Sequence, residues 1–199
     1  MIAALRIVFL VAFASACASL FDQRTATEYY QAGELAFAQR DYSRAEEMFL
    51  RALEKARDQS MGLEMEAQVQ MKLGKTQGEL CEYDSAEENF LAALALYSNL
   101  YGANSIYTFA PKLEIGQFSY DIGRYSKAVA YFEQAFAVGG EELKGANQKV
   151  YYEVLKDYGD ALLKIGNPQK AREVFKEVAM HAHFLPQESS YVRYPRKCE

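Results

Sequence analysis

One spacing of residues recurs four times along this chain and constrains its fold more than any other feature. Each copy begins with a glycine, and the next four positions follow at successive offsets of 9, 3, 4 and 3 residues. The glycines are 41, 42 and 43 residues apart. A fixed period of this length is the signature of stacked repeats, so the sequence predicts a repeat array. The four sets are Gly33, Tyr42, Ala45, Phe49 and Ala52; Gly74, Tyr83, Ala86, Phe90 and Ala93; Gly116, Tyr125, Ala128, Phe132 and Ala135; and Gly159, Pro168, Ala171, Phe175 and Val178.

The offsets of three and four residues indicate α-helices, because side chains at these separations share one helix face. Each unit therefore predicts a first helix, a tight turn and a second helix. The turn Gly166-Asn167-Pro168 supports this prediction, since Gly favours a helix end, Asn an N-cap and Pro the first helical position. The predicted helices are about 26–38 and 42–57, 63–80 and 83–100, 105–122 and 125–138, and 147–165 and 168–182.

The glycines lie inside the predicted first helices, where glycine costs about 1 kcal/mol relative to alanine. Close approach of the second helix is the simplest offsetting cause. We therefore expect the aromatic ring of each unit to fill the core beside its glycine. These rings belong to Phe49, Phe90, Phe132 and Phe175.

This motif resembles the tetratricopeptide repeat family, and the resemblance covers about residues 26–182. The period of about 42 residues is similar to the longer repeats of kinesin light chains. Unit four departs from the pattern, with Pro168 at the turn aromatic and Val178 at the last alanine. The resemblance implies an all-α, right-handed superhelical solenoid of about four helix pairs. It also implies a concave groove, lined by the first helices, that binds peptides or partner proteins.

The family places groove-lining residues at offsets −3, +1, +4 and +5 from the motif glycine. No asparagine stands at offset +1 and two acids do, so we do not expect a clamp for a partner's C-terminal carboxylate. The alternative is that several of these residues contact the neighbouring repeat or face water. The implied groove residues are Tyr30, Glu34, Phe37 and Ala38; Met71, Lys75, Gly78 and Glu79; Leu113, Gln117, Tyr120 and Asp121; and Lys156, Asp160, Leu163 and Lys164.

The first 20 residues are predicted to be a targeting signal. Arg6 precedes an apolar run that is too short for the roughly 20 residues of a membrane-spanning helix. Ala14-Ser15-Ala16-Cys17 resembles the lipobox of bacterial lipoproteins, with Ala14 where leucine is usual. We predict a signal peptide over 1–16 and lipidation of Cys17, which implies a periplasm-facing lipoprotein of the bacterial envelope, in the outer membrane. The alternatives are cleavage near Ala16 or Ala18, which gives a soluble secreted or periplasmic protein, and an uncleaved anchor.

The remaining segment, 183–199, is a tail that begins beyond the predicted array units of about 26–57, 63–100, 105–138 and 147–182. Its apolar side chains are expected to fold back as a partly ordered cap over the last helix, and a loose basic arm is the alternative. We expect Cys81 and Cys198 to stay unpaired. Pairing them would fasten the tail over two repeats. The side chains of the predicted cap are Phe184, Leu185, Tyr191 and Tyr194.

Composition and motifs disfavour several classes of function. The net charge of −5 disfavours nucleic acid as a partner. We find no phosphate-binding loop or nucleophile motif, and His181 and His183 do not share a helix face. We therefore predict no catalytic residues, no metal and no cofactor. The predicted function is a non-enzymatic scaffold for a protein or peptide, and the bacterial signal is consistent with assembly of an envelope complex. The alternative is a periplasmic module that binds a small ligand such as a cell-wall fragment.

Overall fold

The computed structural model describes residues 24–58, 61–185 and 193–195. Over this part of the chain the fold is all-α and contains no strand, as predicted. Two short 3-10 turns, Ile106–Thr108 and Ala182–Phe184, accompany the α-helices. The signal segment and Cys17 lie outside the described residues. The helices are α1 (Ala26–Ala38), α2 (Tyr42–Asp58), α3 (Leu63–Glu79), α4 (Tyr83–Tyr101), α5 (Phe109–Asp121), α6 (Tyr125–Ala146), α7 (Gln148–Lys164) and α8 (Pro168–Met180).

Two helix boundaries in the third unit differ from the predicted ones. Helix α5 begins four residues later than expected because Ser105 first opens the 3-10 turn, with its hydroxyl accepting the Tyr107 N–H at 3.4 Å. Helix α6 continues past 138 to Ala146 and is kinked at Gly139. The close approach of the Phe109 ring explains the glycine there, since a Cβ on Gly139 would lie 2.6 Å from that ring.

All four turns between paired helices share one backbone conformation and one hydrogen bond. A residue with positive φ follows the end of each first helix, at Arg40 (60°), Cys81 (67°), Gly123 (83°) and Gly166 (80°). The next amide N–H donates to a carbonyl five residues back, as in the Schellman motif, with N–O distances of 2.7–3.0 Å. Arg40 and Cys81 therefore hold a backbone conformation that only glycine adopts without strain.

Each motif glycine lies under the phenylalanine of its own unit. A Cβ built on Gly33 would come 2.6 Å from the Phe49 ring, and one on Gly74 would come 2.6 Å from the Phe90 ring. The corresponding distances are 2.7 Å for Gly116 to Phe132 and 2.9 Å for Gly159 to Phe175. Because an added methyl group meets the ring itself, the glycine permits the close approach of the two helices.

The last unit is covered differently from the others. Phe49, Phe90 and Phe132 are fully buried, whereas Phe175 is only partly buried, contrary to expectation. Helix α8 is the last α-helix of the described residues, and among them no further helix pair covers its ring. Phe184 and Leu185 pack against the core of this unit, as a cap does.

Candidate functional site

Successive first helices are joined by polar contacts along one face of the array. Lys72 of α3 pairs with Glu34 of α1 at 2.8 Å, and Lys75 of α3 pairs with Glu114 of α5 at 2.6 Å. The Tyr120 hydroxyl of α5 donates to Asp160 of α7 at 3.1 Å. Helices α1, α3, α5 and α7 therefore form the continuous surface that we call the groove face.

The tail segment 193–195 lies on this groove face. The Arg193 guanidinium is held by three carboxylates, at 2.6 Å from Asp157, 3.1 Å from Asp121 and 3.2 Å from Glu153. It also lies over the Tyr120 ring, 5.9 Å from the ring centre. With the tail in place, each of the three acidic side chains is less than a tenth exposed. Buried carboxylates need such a partner, so Arg193 compensates the negative charge of this site.

Tyr194 fills a slot beside the arginine site. Its side chain is 4% exposed, and its ring packs edge-on against Phe118 with centroids 5.3 Å apart. The floor of the slot is Gly78, where a Cβ would lie 2.6 Å from the Tyr194 ring. The phenol donates to Glu114 at the far end. The slot therefore matches an aromatic side chain with a hydroxyl tip.

Backbone contacts hold the same segment. The Tyr194 N–H donates to Asp121 at 3.0 Å, so Asp121 binds both the backbone and the arginine of the tail. The Tyr83 hydroxyl donates to the Pro195 carbonyl. Because Pro195 restricts the residue before it to extended conformations, the segment presents its backbone in the way an extended peptide does.

Burial shifts the acid–base behaviour of this site. Desolvation raises the pKa of Asp121 from 3.8 to about 6, although the Tyr194 N–H and Arg193 oppose the shift. Burial also raises the pKa of Glu79 on the neighbouring helix α3. The groove face therefore concentrates carboxylates that a cationic ligand stabilises in their charged form.

The structure places the implied groove residues in several environments. Gly78, Tyr120 and Asp121 contact the tail. Glu34, Lys75 and Asp160 bridge neighbouring first helices, which was the alternative interpretation. Of the others, Tyr30, Phe37, Met71, Glu79 and Leu113 are half-buried, Gln117 is buried, and Ala38, Lys156, Leu163 and Lys164 are exposed.

Sequence reasoning missed most of the acidic and aromatic residues that hold the tail. Glu114 and Asp157 both stand two residues before a motif glycine, a position that is polar in all four units. This recurring polar position was the sequence signal that could have placed Glu114 and Asp157 on the groove face. Tyr83 and Phe90 belong to the repeat motif and were predicted only as structural residues, and Phe118 was not singled out. Tyr194 was predicted to cap the last helix and instead lies in the groove between units two and three, because its slot there is already built by Gly78 and Phe118. Tyr191 lies outside the described residues.

Cys81 is disulfide-bonded, so the expectation that it stays unpaired was wrong. It stands in the turn between α3 and α4, half-buried, two residues before Tyr83. The chain has two other cysteines, Cys17 and Cys198, and both lie outside the described residues.

The two histidines take part in ring packing at the end of the array. His181 stacks on Tyr152 with centroids 4.6 Å apart, and its Nδ1 lies 3.0 Å from the Glu177 carbonyl oxygen. Over the described part of the chain, no three His, Cys, Asp or Glu side chains are grouped to hold a metal ion. Nor does any helix in that part have the length and apolar character to cross a bilayer.

Solved structures share this fold. The crystal structure of BtubC (BKLC) from P. vanneervenii matches with a TM-score of 0.71 and 18% identity, covering 84% of this chain and 69% of that one. The Rap conjugation gene regulator of the plasmid pLS20, in complex with the Phr* peptide, matches with a TM-score of 0.59 and 21% identity. That match covers 77% of this chain and 41% of the regulator. A comparison with curated protein sequences found no match.

Sequence profiles give the family. One profile described as tetratricopeptide repeat matches residues 65–138 and 107–179, and another with the same description matches 30–99. Together these matches span the helix pairs whose glycine and phenylalanine contacts are described above. The chain belongs to the tetratricopeptide repeat family.

Proposed function

We propose that this protein is a non-enzymatic interaction scaffold that binds an extended peptide segment of a partner protein on its groove face. One observation carries the proposal: the chain's own residues 193–195 lie there, held through backbone and side chains. Tetratricopeptide repeats are generally interaction modules. One solved structure with this fold is in complex with a peptide.

The test is site-specific photocrosslinking of the full-length protein in the cells that make it. A photoreactive phenylalanine analogue replaces Lys156, which is exposed on α7 beside the carboxylates of the groove face. The matched control carries the same analogue at Leu50, which is 50% exposed on the second helix α2. We expect a partner crosslinked from position 156 and not from position 50. Equal crosslinking from both positions, or crosslinking from position 50 alone, would contradict the proposal.

We further propose that the protein acts in the bacterial envelope as a lipoprotein anchored through Cys17, in the assembly of an envelope complex. The support is the short apolar N-terminal run and the Ala14-Ser15-Ala16-Cys17 sequence. Two acyl chains on one cysteine give stable membrane attachment. Metabolic labelling with a radioactive fatty acid tests this. Wild type is expected to carry the label in the membrane fraction and Cys17→Ser to lose it; label on both, or on neither, contradicts lipidation at this residue.

The alternative function is binding of a small ligand. A cleft of about 350 Å³ lies between α4 and α6 and is lined by Leu94, Lys112 and Gln134, among other residues. The Lys112 ammonium already donates to the Ala103 carbonyl at 2.6 Å. The groove face, by contrast, holds a peptide segment in place, so the observations favour a peptide ligand.

A further inference from the structure

The groove face holds two adjacent side chains, Arg193 and Tyr194, in neighbouring sites. We propose that its ligand is an extended peptide in which an arginine is followed directly by a tyrosine, and that the chain's own Arg193-Tyr194 occupies the site as an internal competitor. This inference rests on the proposed function and specifies the chemistry of its partner. It commits to a partner protein's segment as the functional occupant.

The arginine site is selective through charge and shape. Asp121, Glu153 and Asp157 come from two helices and converge on one guanidinium. A guanidinium offers several N–H donors in a fixed plane, whereas a lysine ammonium is a point charge. The aromatic ring of Tyr120 beneath the guanidinium favours arginine further, since arginine stacks on aromatic faces.

The neighbouring slot is selective for a tyrosine ring. Gly78 removes the side chain that would otherwise block the slot, and Phe118 and Phe90 form its aromatic walls. Glu114 accepts the phenol hydrogen at the end of the slot. Phenylalanine would remove the hydroxyl donor from Glu114 Oε1 and leave Lys75 on the other carboxylate oxygen. A smaller residue would leave a cavity, so tyrosine fits best.

The order of the two residues is fixed by Asp121. Its two oxygens accept from the Arg193 side chain and from the Tyr194 backbone N–H, so both ligand residues must be adjacent and in this order. An internal segment has a high effective concentration, so an external peptide has to compete with the tail. Substitutions that weaken the binding of the tail to the groove face are therefore expected to make the site available to an external peptide.

The experiment measures binding of a labelled synthetic peptide to the full-length protein by fluorescence anisotropy. The peptide is Ser-Ser-Tyr-Val-Arg-Tyr-Pro-Arg-Lys, the sequence of residues 189–197. The proteins are wild type and the tail variant Arg193→Ala/Tyr194→Ala. Both are run with and without a thiol reductant because Cys81 is disulfide-bonded. We expect the tail variant to bind the peptide at least about tenfold more tightly than wild type.

Two further variants, each made in the tail-variant background, locate the site. Adding Gly78→Ala is expected to weaken peptide binding at least about tenfold, because the methyl group fills the tyrosine slot. Adding Gly145→Ala is the matched control, since a Cβ there meets nothing within 4 Å, and is expected to change nothing. Circular dichroism and thermal melting show that each variant is folded.

Altered peptides separate this inference from the proposed function. Replacing the internal arginine by lysine, or the tyrosine after it by alanine, is expected to weaken binding at least about tenfold. If all peptides bind alike, the arginine–tyrosine pair is not what the groove recognises, although groove binding stands. If the tail variant binds the peptide no better than wild type, the tail is not a competitor and the inference fails. Neither of these results decides the crosslinking test from position 156.

Discussion

The ring of Tyr194 lies directly on the Cα of Gly78, so that one added methyl group at Gly78 would stand 2.6 Å from the ring. The two residues are more than 100 positions apart in the chain, and their contact joins the tail to the last turn of α3. The groove face, where we propose that a partner peptide binds, is thus filled in part by the same polypeptide. Availability of the groove is therefore coupled to the attachment of the tail.

The first prediction concerns this contact. Gly78→Ala is expected to displace Tyr194 without unfolding the array, because alanine favours the helix and the clash is with the tail. Trypsin cleavage after Arg193, followed by mass spectrometry of the reduced protein, is expected to speed up several-fold, since local opening exposes the bond. Gly145→Ala serves as control and should cleave at the wild-type rate. Unchanged cleavage in Gly78→Ala would show that the slot does not retain the tail.

The second prediction compares the phenylalanines of units two and four. Phe90→Ala removes a fully buried ring and is expected to lower the free energy of unfolding by about 3–5 kcal/mol. Phe175→Ala, at the equivalent but partly exposed position of unit four, should cost clearly less. Urea unfolding followed by circular dichroism measures both. Equal losses would mean that the last unit is as tightly covered as the second.

The third prediction concerns the turns. Arg40 adopts a φ of 60°, so Arg40→Gly is expected to raise the free energy of unfolding by about 0.5–1 kcal/mol. Gly166→Ala makes the reverse change in unit four, where a Cβ would meet nothing within 4 Å, and should cost about 1 kcal/mol through backbone strain. Thermal melting detects both changes. Shifts of the same sign in the two variants would contradict this account of the turns.

The fourth prediction is that Cys81 pairs with Cys198. The Tyr83 hydroxyl contacts the Pro195 carbonyl, and three further residues span at most about 11 Å, which brings Cys198 within reach of Cys81. A lipidated Cys17 has no thiol to contribute. Proteolysis without reductant, followed by mass spectrometry, should yield one linked peptide pair containing residues 81 and 198. Cys17→Ser should keep that link, and a peptide linking 81 to 17 would refute the assignment.

The disulfide also bears on stability. A bond between Cys81 and Cys198 closes a loop of more than 100 residues. Such a bond is expected to contribute about 2–5 kcal/mol to the free energy of unfolding. Cys198→Ser should therefore lower the urea midpoint and raise the rate of trypsin cleavage after Arg193. In the presence of reductant, wild type should approach the behaviour of this variant.

The fifth prediction concerns pH. Asp121 has its pKa raised to about 6, so the folded protein binds this proton more tightly than the unfolded chain does. The stability it contributes is present below pH 4 and is lost as the pH rises through 6. Relative to Asp121→Asn, wild type should therefore lose roughly 1–3 kcal/mol of unfolding free energy between pH 4 and pH 7. Around this carboxyl lie Arg193, Asp157, Glu79 and the Tyr194 N–H.

The control for this pH dependence is Asp84→Asn, whose side chain is 93% exposed. Because solvent screens the contact of so exposed a side chain with Arg124, this substitution should change the unfolding free energy between pH 4 and pH 7 much less than Asp121→Asn does. Parallel curves for Asp121→Asn and wild type would show that Asp121 titrates in the folded protein as it does in the unfolded chain.

The sequence by itself determined the repeat. The fixed offsets from Gly33, Gly74, Gly116 and Gly159 predicted the helix pairs, because helical periodicity and close packing at glycine are local and recur in each unit. The turn at Gly166-Asn167-Pro168 was equally predictable from the sequence, since capping preferences act over a few residues.

Only the tertiary structure decided what lies in the groove. Arg193 and Tyr194 are far along the chain from Gly78, Glu114 and Asp121, and no periodicity connects a tail to the helices that receive it. The tail meets its site because three carboxylates from α5 and α7 converge there beside an aromatic slot, and that convergence exists once the helices are stacked. The spacing of the motif residues therefore determined the array, whereas contacts between residues far apart in the chain determined which segment occupies its groove.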